Sequence, residues 1–289
     1  MARILCVGNA VLDLVFTVPH HPAADEELRA ASLRVAAGGN AANTARVLRA
    51  LGHEVSLGAV LADHPAGAPL EEELRRTGVD LSPCRRVAGM PSLSAVLIPQ
   101  DGAHRTIVHH GATPEYDRED FARLDLSRWR WAHFESRPGE GTVRMVRHAR
   151  RFAPDLLLSL EAEKLRAGIE EAFPLARLVL FSRGYAEAAG AARPVPFLQD
   201  MRARVPHSLL AVAWGAEGAW GIEADGTLLH EPASPPARVV DTLGAGDSFN
   251  AGMIGALAAG KSLRRALGEA CRLAGRKVGQ IGFDGLSGP

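Results

Sequence analysis

Short apolar runs alternate with amphipathic stretches along most of the chain, and this rhythm predicts a parallel sheet covered by helices. Continuous apolar runs are typical of strands buried on both faces, and they occur at 4–7, 55–60, 131–134, 156–160, 178–181 and 209–214. Apolar residues at helical spacing predict helices over 41–51, 70–77, 143–150, 246–259 and 263–276. We therefore expect an α/β fold with a mainly parallel, doubly wound sheet.

Two antiparallel hairpins are predicted in addition to the parallel strands. Residues 94–98 and 105–109 surround the turn Pro99-Gln100-Asp101-Gly102, and residues 220–223 and 227–230 flank Asp225-Gly226. Functional loops of a doubly wound sheet gather at the carboxyl ends of its strands, so polar residues at such ends are candidates for a site. Those that follow predicted strands are Glu135, Arg137, Glu161 and Glu163.

The stretch 241–250, DTLGAGDSFN, combines a turn of small residues with a carboxylate at the start of a predicted helix. Gly244, Ala245 and Gly246 let the backbone approach a ligand, and N–H groups at a helix start favour an anion. Asp247 could take a proton from a nucleophile beside that anion. The alternative is a strand–turn–helix joint in which 238–240 forms the strand and Asp247 is the N-cap. Local chemistry leaves both interpretations open.

A second glycine-rich stretch, Gly38-Gly39-Asn40, precedes the helix predicted over 41–51. Asn40 could cap this helix, and Asn43 lies on the same face of its first turn. Asp13 stands between two leucines, where a buried carboxylate needs a polar partner. Two amides, two glycines and an aspartate suit a compound with many hydroxyl groups. The alternative is a capped helix with one spare asparagine.

Residues 255–262, GALAAGKS, match the phosphate-binding P-loop pattern. That motif requires a strand before the loop, whereas an apolar helical run precedes this match. We therefore expect Gly260 to end one helix and Ser262 to cap the next.

Composition excludes several classes of protein. Hydrophobic residues make up 47% of the 289 residues, which is enough for the core of one large domain. Lys plus Arg and Asp plus Glu number 33 each, so no basic field favours nucleic acid. The first apolar run is too short for a signal peptide or membrane span. Three widely spaced cysteines indicate reduced thiols and a cytoplasmic protein, and the histidines lack partners at metal-ligand spacing.

The two glycine-rich stretches together carry a resemblance to a known family. DTLGAGD followed by SFNAG, with GGNAAN at 38–43, resembles the paired motifs of the ribokinase-like sugar kinases, the PfkB family. The resemblance extends over the whole chain and implies one kinase domain over 1–289. It also implies a three-layer α/β sandwich and a small β-sheet lid, with lid strands from about 13–34 and 93–110. Many members form homodimers through this lid.

Shorter matches resemble the ketohexokinase branch of the family. They are ILCVG near the start, HRTIVHH at 104–110, SLEAEK at 159–164, AWGAEG at 213–218, the run 235–251 and GFDG at 282–285. This resemblance implies ATP-dependent phosphorylation of fructose at its C1 hydroxyl, with Mg²⁺ and no nucleic-acid or membrane partner. Kinases of other small sugars or nucleosides remain alternatives, and a non-catalytic sugar-binding protein is a more distant one.

The resemblance also implies roles for single residues. Asp247 would be the catalytic base, with Gly244, Ala245 and Gly246 as the anion hole. The sugar would bind to Asp13, Gly39, Asn40 and Asn43. The nucleotide would bind to Arg105, Gly215, Ala216, Glu217, Gly218 and Cys271. Asp241 would be the first ligand to test for a monovalent cation such as K⁺. Many members carry an Asn-x-x-Glu motif for magnesium, where this chain has Ser182-Arg183-Gly184-Tyr185.

Overall fold

The computed structural model describes residues 1–99 and 105–286. Its main sheet has eight strands in the order β14-β13-β12-β11-β10-β9-β1-β4, parallel except for β13 and β14. These strands are β1 (Arg3–Val7), β4 (Glu54–Gly58), β9 (Trp131–Glu135), β10 (Leu157–Ala162), β11 (Leu178–Ser182), β12 (Leu209–Ala213), β13 (Ala219–Ile222) and β14 (Leu228–Glu231).

A smaller sheet has the order β3-β2-β7-β8, and a short parallel pair joins β5 to β6. Their bounds are β2 (Val11–Val18), β3 (Ser32–Gly38), β5 (Val60–Asp63), β6 (Arg85–Ala88), β7 (Leu93–Pro99) and β8 (Arg105–His109). Strands β7 and β8 pair antiparallel, as their sequence pattern predicts. Of the turn predicted between them, residues 100–102 lie outside the described residues.

The helices are α1 (Asn40–Ala50), α2 (Ala68–Arg76), α3 (Arg118–Phe121), α4 (Gly141–Phe152), α5 (Arg183–Ala188), α6 (Pro194–Arg204), α7 (Ala245–Ala258) and α8 (Leu263–Val278). These helices form two layers, one on each face of the main sheet, and alternate side chains of β1 point into the two layers. Ile4 and Cys6 pack into a core shared with α1, α7 and α8, whereas Leu5 and Val7 pack into a core shared with α4 and α6. The sheet is therefore buried on both faces, and the fold is the expected three-layer α/β sandwich.

Helices α7 and α8 pack closely because α7 carries glycine at the contact. A Cβ added to Gly252 would lie 2.7 Å from the Ala270 Cα atom. This close approach brings the carboxyl end of α8 next to the turn that precedes α7. The packing therefore places residues of α8 beside the DTLGAGD stretch.

Two local predictions differ from the structure. The strand expected over 55–60 divides into β4 and β5, with Ala59 between them. Residues 238–240 form no strand: Val239 and Val240 are exposed, and the Val240 N–H bonds to the Val278 carbonyl. The strand of the strand–turn–helix alternative is therefore absent, because the Val240 N–H bonds to the end of α8 and not to a neighbouring strand.

Residues 255–262 form the end of α7 and the turn to α8, and they do not form a P-loop. Helix α7 ends at Ala258, Gly260 has a φ of 79°, and Ser262 caps α8 by accepting a hydrogen bond from the Arg265 N–H at 3.4 Å. No strand precedes this turn, so the required P-loop context is missing. Among the described residues, no helix combines the length and apolar character needed to cross a membrane.

The cap at Ser262 can be tested by stability. Ser262→Ala removes the acceptor for an N–H group at the start of α8, and we expect the free energy of unfolding to fall by about 1 kcal/mol. Ser262→Asp keeps an acceptor there and should retain most of that stability. Urea denaturation of the three proteins measures the difference. Equal midpoints for Ser262→Ala and the wild type would contradict the cap.

Candidate active site

The structure brings the two glycine-rich stretches together at one end of the main sheet. Helix α1 follows β3 and α7 follows the 241–244 turn, and the two helices pack against each other. A hydrogen bond at 2.9 Å joins them, from the Asn43 Nδ2 to the Asp247 Oδ2. These residues lie 204 positions apart. Both side chains are buried, so this bond lies inside the molecule rather than on its surface.

Asp247 does not cap α7. The N-cap is Gly244, with a φ of 81°, and Asp247 stands in the first turn with its carboxylate bonded to Asn43. The N-cap alternative for Asp247 is therefore excluded. A Cβ added to Gly244 would lie 2.4 Å from the Phe283 ring, so a larger residue would displace the turn.

The start of α7 offers N–H donors to a ligand. The first N–H groups of a helix have no intrahelical acceptor, although the Ala245 N–H reaches the Thr242 carbonyl at 3.3 Å. A Cβ added to Gly246 would meet nothing within 4 Å, so space is open beside this turn. The positive end of the helix dipole reinforces the preference of this position for an anion.

Glu135 and Glu161 lie in the same buried region, at the carboxyl ends of β9 and β10. The Glu135 Oε2 accepts hydrogen bonds from the Asn9 N–H at 2.9 Å and the Ala41 N–H at 3.2 Å. The Glu161 Oε1 accepts from the Asn40 Nδ2 at 3.2 Å and the Asn250 Nδ2 at 2.9 Å. The sequence pattern predicted that both glutamates follow strand ends, but it indicated no specific role for either.

Asn40 was predicted as a possible helix cap, and this prediction was wrong. The N-cap of α1 is Gly39, with a φ of 96°, and no side chain caps the helix. The Asn40 amide instead donates to Glu161 and, at 3.3 Å, to the Glu163 Oε2. Because Asn40 is the first residue inside α1 and Gly39 occupies the N-cap position, the Asn40 side chain is directed to these carboxylates instead of to the helix N–H groups.

Burial, together with the neighbouring Glu135, Glu163 and Asp13, raises the pKa of Asp247 to about 8 against the opposing effect of the Asn43 hydrogen bond. Burial also raises the pKa of Glu161 well above its usual range, with Asp247 as the next cause. The cluster therefore holds protons near neutral pH more firmly than free carboxylates do. A ligand that brings positive charge would be favoured there.

Asp13 faces the same region from the small sheet. Burial raises its pKa to about 6, whereas a Ser94 hydrogen bond and the charges of Arg34 and Arg46 oppose the rise. A Cβ added to Gly38 would lie 2.0 Å from an Asp13 carboxylate oxygen, and one added to Gly39 would lie 2.4 Å from the Asn9 carbonyl. Both glycines are thus needed for close approach, as their sequence predicts.

Arg46 connects these residues to helix α2. Its NH1 donates to the Ala37 carbonyl at 2.9 Å and to the Asn43 Oδ1 at 3.5 Å, and its NH2 pairs with Glu73. The guanidinium thereby holds the Asn43 amide so that its nitrogen points at Asp247. Sequence reasoning did not single out Arg46, since a lone arginine within an amphipathic helix carries no distinguishing pattern.

Asp241 lies buried before the turn to α7 and is bonded to the chain itself. Its carboxylate accepts from the Leu243 N–H at 2.9 Å and from the Lys277 Nζ at 3.2 Å. Arg34 approaches the same carboxylate at 3.7 Å. Burial lowers the pKa of Lys277, and the charge of Asp241 opposes this effect.

The residues predicted to bind a nucleotide lie in three places. Gly215–Glu217 forms a single helical turn after β12, and a Cβ on Gly218 would lie 2.1 Å from the Glu231 carbonyl. Cys271 is buried in α8, where burial raises its thiol pKa to about 11 and makes it unreactive. Arg105 begins β8 opposite Leu97, but its side chain lies outside the described part of the structure. Of the residues predicted to bind sugar, Asn43 is hydrogen-bonded directly to Asp247. The sugar-binding and nucleotide-binding roles both stay predictions.

A divalent cation would find carboxylate oxygens here. The Glu161 Oε2 is buried without a hydrogen-bond partner, and Glu163 shares the Asn40 amide with Glu161. In the described residues, no group of three or more His, Cys, Asp or Glu side chains converges as a metal cage. One or two carboxylates with several waters are the usual protein contribution to a nucleotide-bound Mg²⁺, so the site fits that ion.

Comparisons with known proteins agree with this geometry. The model of the pfkB family carbohydrate kinases matches residues 1–285. Ketohexokinase of Mus musculus is 36% identical over 98% of this chain and 98% of its own length. Ribokinase of Bacillus subtilis is 26% identical over 99% of this chain and 96% of its own length.

The fold also has solved relatives. The structure of ribokinase from Cryptococcus neoformans var. grubii in complex with ADP superposes with a TM-score of 0.82 at 21% identity. It covers 99% of this chain and 97% of its own length. The sandwich and the smaller sheet are therefore those of the ribokinase fold, and the chain belongs to the PfkB family of carbohydrate kinases, enzymes that transfer a phosphoryl group to a hydroxyl acceptor.

Proposed function

We propose that this enzyme transfers the γ-phosphoryl group of ATP to the C1 hydroxyl of a ketose, with fructose as the first candidate. The observation that carries the proposal is the bond between Asn43 and Asp247, which joins a hydroxyl-binding motif to a carboxylate beside the anion-binding start of α7. The 36% identity to ketohexokinase over nearly the whole chain supports the choice of sugar.

The chemistry follows from the position of Asp247. Its ionised carboxylate accepts the proton of the sugar hydroxyl, and that oxygen attacks the γ-phosphorus in line as ADP leaves. N–H groups at the start of α7 stabilise the charge that develops on the transferred group. Asp13, Asn40 and Asn43, with the backbone at Gly39, would hold the other hydroxyls and align the attacking one.

The nucleotide would lie on the opposite side of the 244–246 turn, against residues 215–218 and near Arg105 and Cys271. ADP in the related ribokinase structure supports a nucleotide as the phosphoryl donor. Mg²⁺ bound with ATP would neutralise phosphate charge, and Glu161 and Glu163 are the residues that would hold it, directly or through water. The excess of buried carboxylates near Asp247 favours that extra positive charge.

The small sheet would act as a lid over the sugar and as the contact between two subunits. Apolar side chains remain exposed on its outer strands, at Leu33, Val35, Ile107 and Val108. Clustered exposed apolar residues favour association, so we propose a homodimer through this sheet. A cytoplasmic location agrees with three free cysteines, which the structure leaves unpaired.

A kinase for another small sugar or a nucleoside is the second candidate. The 26% identity to a ribokinase over almost the same length favours it, because that enzyme shares the general framework. The two candidates differ only in which acceptor fits the pocket.

A panel of acceptors separates them. The enzyme is incubated with ATP-Mg and fructose, other ketoses, ribose or nucleosides, and ADP release is coupled to an optical assay. We expect the highest kcat/KM with fructose, and ³¹P and ¹³C NMR of the product should place phosphate on C1. Preference for ribose or a nucleoside, or phosphate on C6, would contradict the first candidate. Sugar binding without ADP release would contradict both.

The role of Asp247 is tested by Asp247→Asn. The amide keeps the shape of the side chain but cannot accept the proton, so kcat should fall by about a hundredfold or more. KM for the sugar should change little. Lys261→Ala, on the exposed turn that resembles a P-loop, is the matched control and should keep near-wild-type kcat. Retention of full activity in Asp247→Asn would exclude general-base catalysis by this residue.

The same variant tests the electrostatics of the cluster. Asp247 keeps its proton in the folded enzyme up to about pH 8, whereas the unfolded chain loses it near 3.8. Its contribution to stability is therefore lost as pH rises through this window. Asp247→Asn has no proton to lose, so its Tm should rise relative to the wild type between about pH 4 and pH 8. A Tm difference that stays constant with pH would contradict the raised pKa.

A further inference from the structure

The Lys277 ammonium is enclosed by three oxygen atoms of the chain. Its Nζ donates to the Asp241 carbonyl at 3.0 Å, the Asp241 Oδ2 at 3.2 Å and the Gln280 carbonyl at 3.2 Å. An ammonium has three N–H donors, so these contacts use all of them. Lys277 is 0% exposed, and the Phe283 ring lies 5.7 Å from the nitrogen.

These oxygens are of the kind that binds a monovalent metal ion. Carbonyl and carboxylate oxygens replace the hydration shell of K⁺ in proteins, and Asp241 is the residue at which the family resemblance implies such a cation. The ammonium carries the same single charge and contacts the same atoms. A K⁺ ion on Asp241 and Gln280 would meet both the volume and the charge of Lys277, so these residues do not fit an added ion.

The ammonium is coupled to the start of α7 through two short paths. The Asp241 Oδ1 accepts the Leu243 N–H at 2.9 Å, one residue before the Gly244 N-cap. The Phe283 ring packs against Gly244, and its centre lies 5.7 Å from the Lys277 Nζ. The position of Lys277 therefore determines the position of the turn whose N–H groups would receive the phosphoryl group.

The buried cation at position 277 is a lysine, although lysine is rare in this chain. It contains 30 arginines and three lysines, and Lys277 is fully buried. Lys164 and Lys261 are exposed, and they pair with Glu163 and Glu269. A planar guanidinium spreads its donors over a fork and cannot converge on three oxygens around one point, whereas a compact ammonium can.

We infer that Lys277 is a built-in replacement for the monovalent cation: its ammonium positions the anion-binding turn, and phosphoryl transfer by this enzyme does not require K⁺. The inference rests on the proposed phosphoryl transfer for its kinetic consequence. Its structural part, that the cation site is already filled by the chain, is independent of substrate.

The first experiment uses the wild-type enzyme. Initial rates are measured with ATP-Mg and the preferred sugar in choline chloride and in KCl at equal ionic strength. We expect kcat to differ by less than about twofold, since a filled site gives K⁺ no differential binding to act through. Activation by KCl of about tenfold or more would overturn the inference.

The second experiment empties the site. Lys277→Ala should lower kcat by about a hundredfold, comparable to the loss of an anion-hole donor. KCl or NH₄Cl should restore a large part of it, because the cavity left by the side chain can admit either ion. Lys277→Met fills the same volume without charge and should lose activity without rescue by either salt. Lys261→Ala should match the wild type in every salt.

Thermal unfolding supplies a readout that needs no substrate. The Tm of Lys277→Ala should rise in KCl and NH₄Cl above its value in choline chloride, while wild type and Lys277→Met show no such difference. A salt-independent Tm with no recovery of kcat in Lys277→Ala would overturn the inference. If the wild type phosphorylates no acceptor, the proposed function fails, and the Tm series still decides whether Lys277 fills a cation site.

Discussion

Carboxylates buried beside one another lose their hydration and repel each other, so N–H donors from the protein must replace the water. In this enzyme the donors come from different parts of the chain. Glu135 of β9 accepts from the loop after β1 and from the start of α1, and Asp247 of α7 accepts from Asn43 of α1. The hydrogen bonds that satisfy the cluster therefore also fix two helices and two strands relative to one another. Stability at this end of the sheet and the geometry of the site have one physical origin.

This arrangement sets two effects against each other at Asp247. The first turn of α7 favours its ionised form, but a helix terminus contributes at most about 2 kcal/mol, or about 1.5 pKa units. Burial and the neighbouring carboxylates act in the other direction, and the pKa of Asp247 rises from 3.8 to about 8. Desolvation therefore prevails over the helix dipole. A base held in this way is weakly populated in its ionised form until positive charge enters the site, which links proton acceptance to the arrival of the metal-bound nucleotide.

Sequence patterns predicted the order of the main strands and helices because periodicity and turn residues act over a few neighbouring positions. The same patterns indicated close backbone approach at Gly38 and Gly39, and the positions of Glu135 and Glu161 at strand ends. They failed where a distant residue decided the outcome. Val239 and Val240 resemble a strand in sequence, but the Val240 N–H bonds to the end of α8, and Asn40 lies inside α1 with its amide bonded to Glu161 and Glu163. Arg46 and Lys277 carried no local pattern, since each acts on a partner brought near only by the fold.

The contrast between Arg46 and Lys277 shows how the shape of a cation matches its surroundings. Arg46 binds three separate acceptors: the Ala37 carbonyl, the Asn43 Oδ1 and the Glu73 carboxylate. The planar guanidinium, with donors pointing in several directions, can reach all three. Lys277 donates hydrogen bonds to three oxygens that surround one point, and the compact ammonium group fits this arrangement. Phe283 lies against both cations, with the Arg46 guanidinium 4.9 Å and the Lys277 ammonium 5.7 Å from its ring. Because the same ring also packs on Gly244, the two buried cations and the turn before Asp247 form one connected unit. The chain thus supplies positive charge beside the turn before α7, from Arg46 of α1 and Lys277 of α8. The buried carboxylates around Asp247 depend on positive charge that the substrate brings.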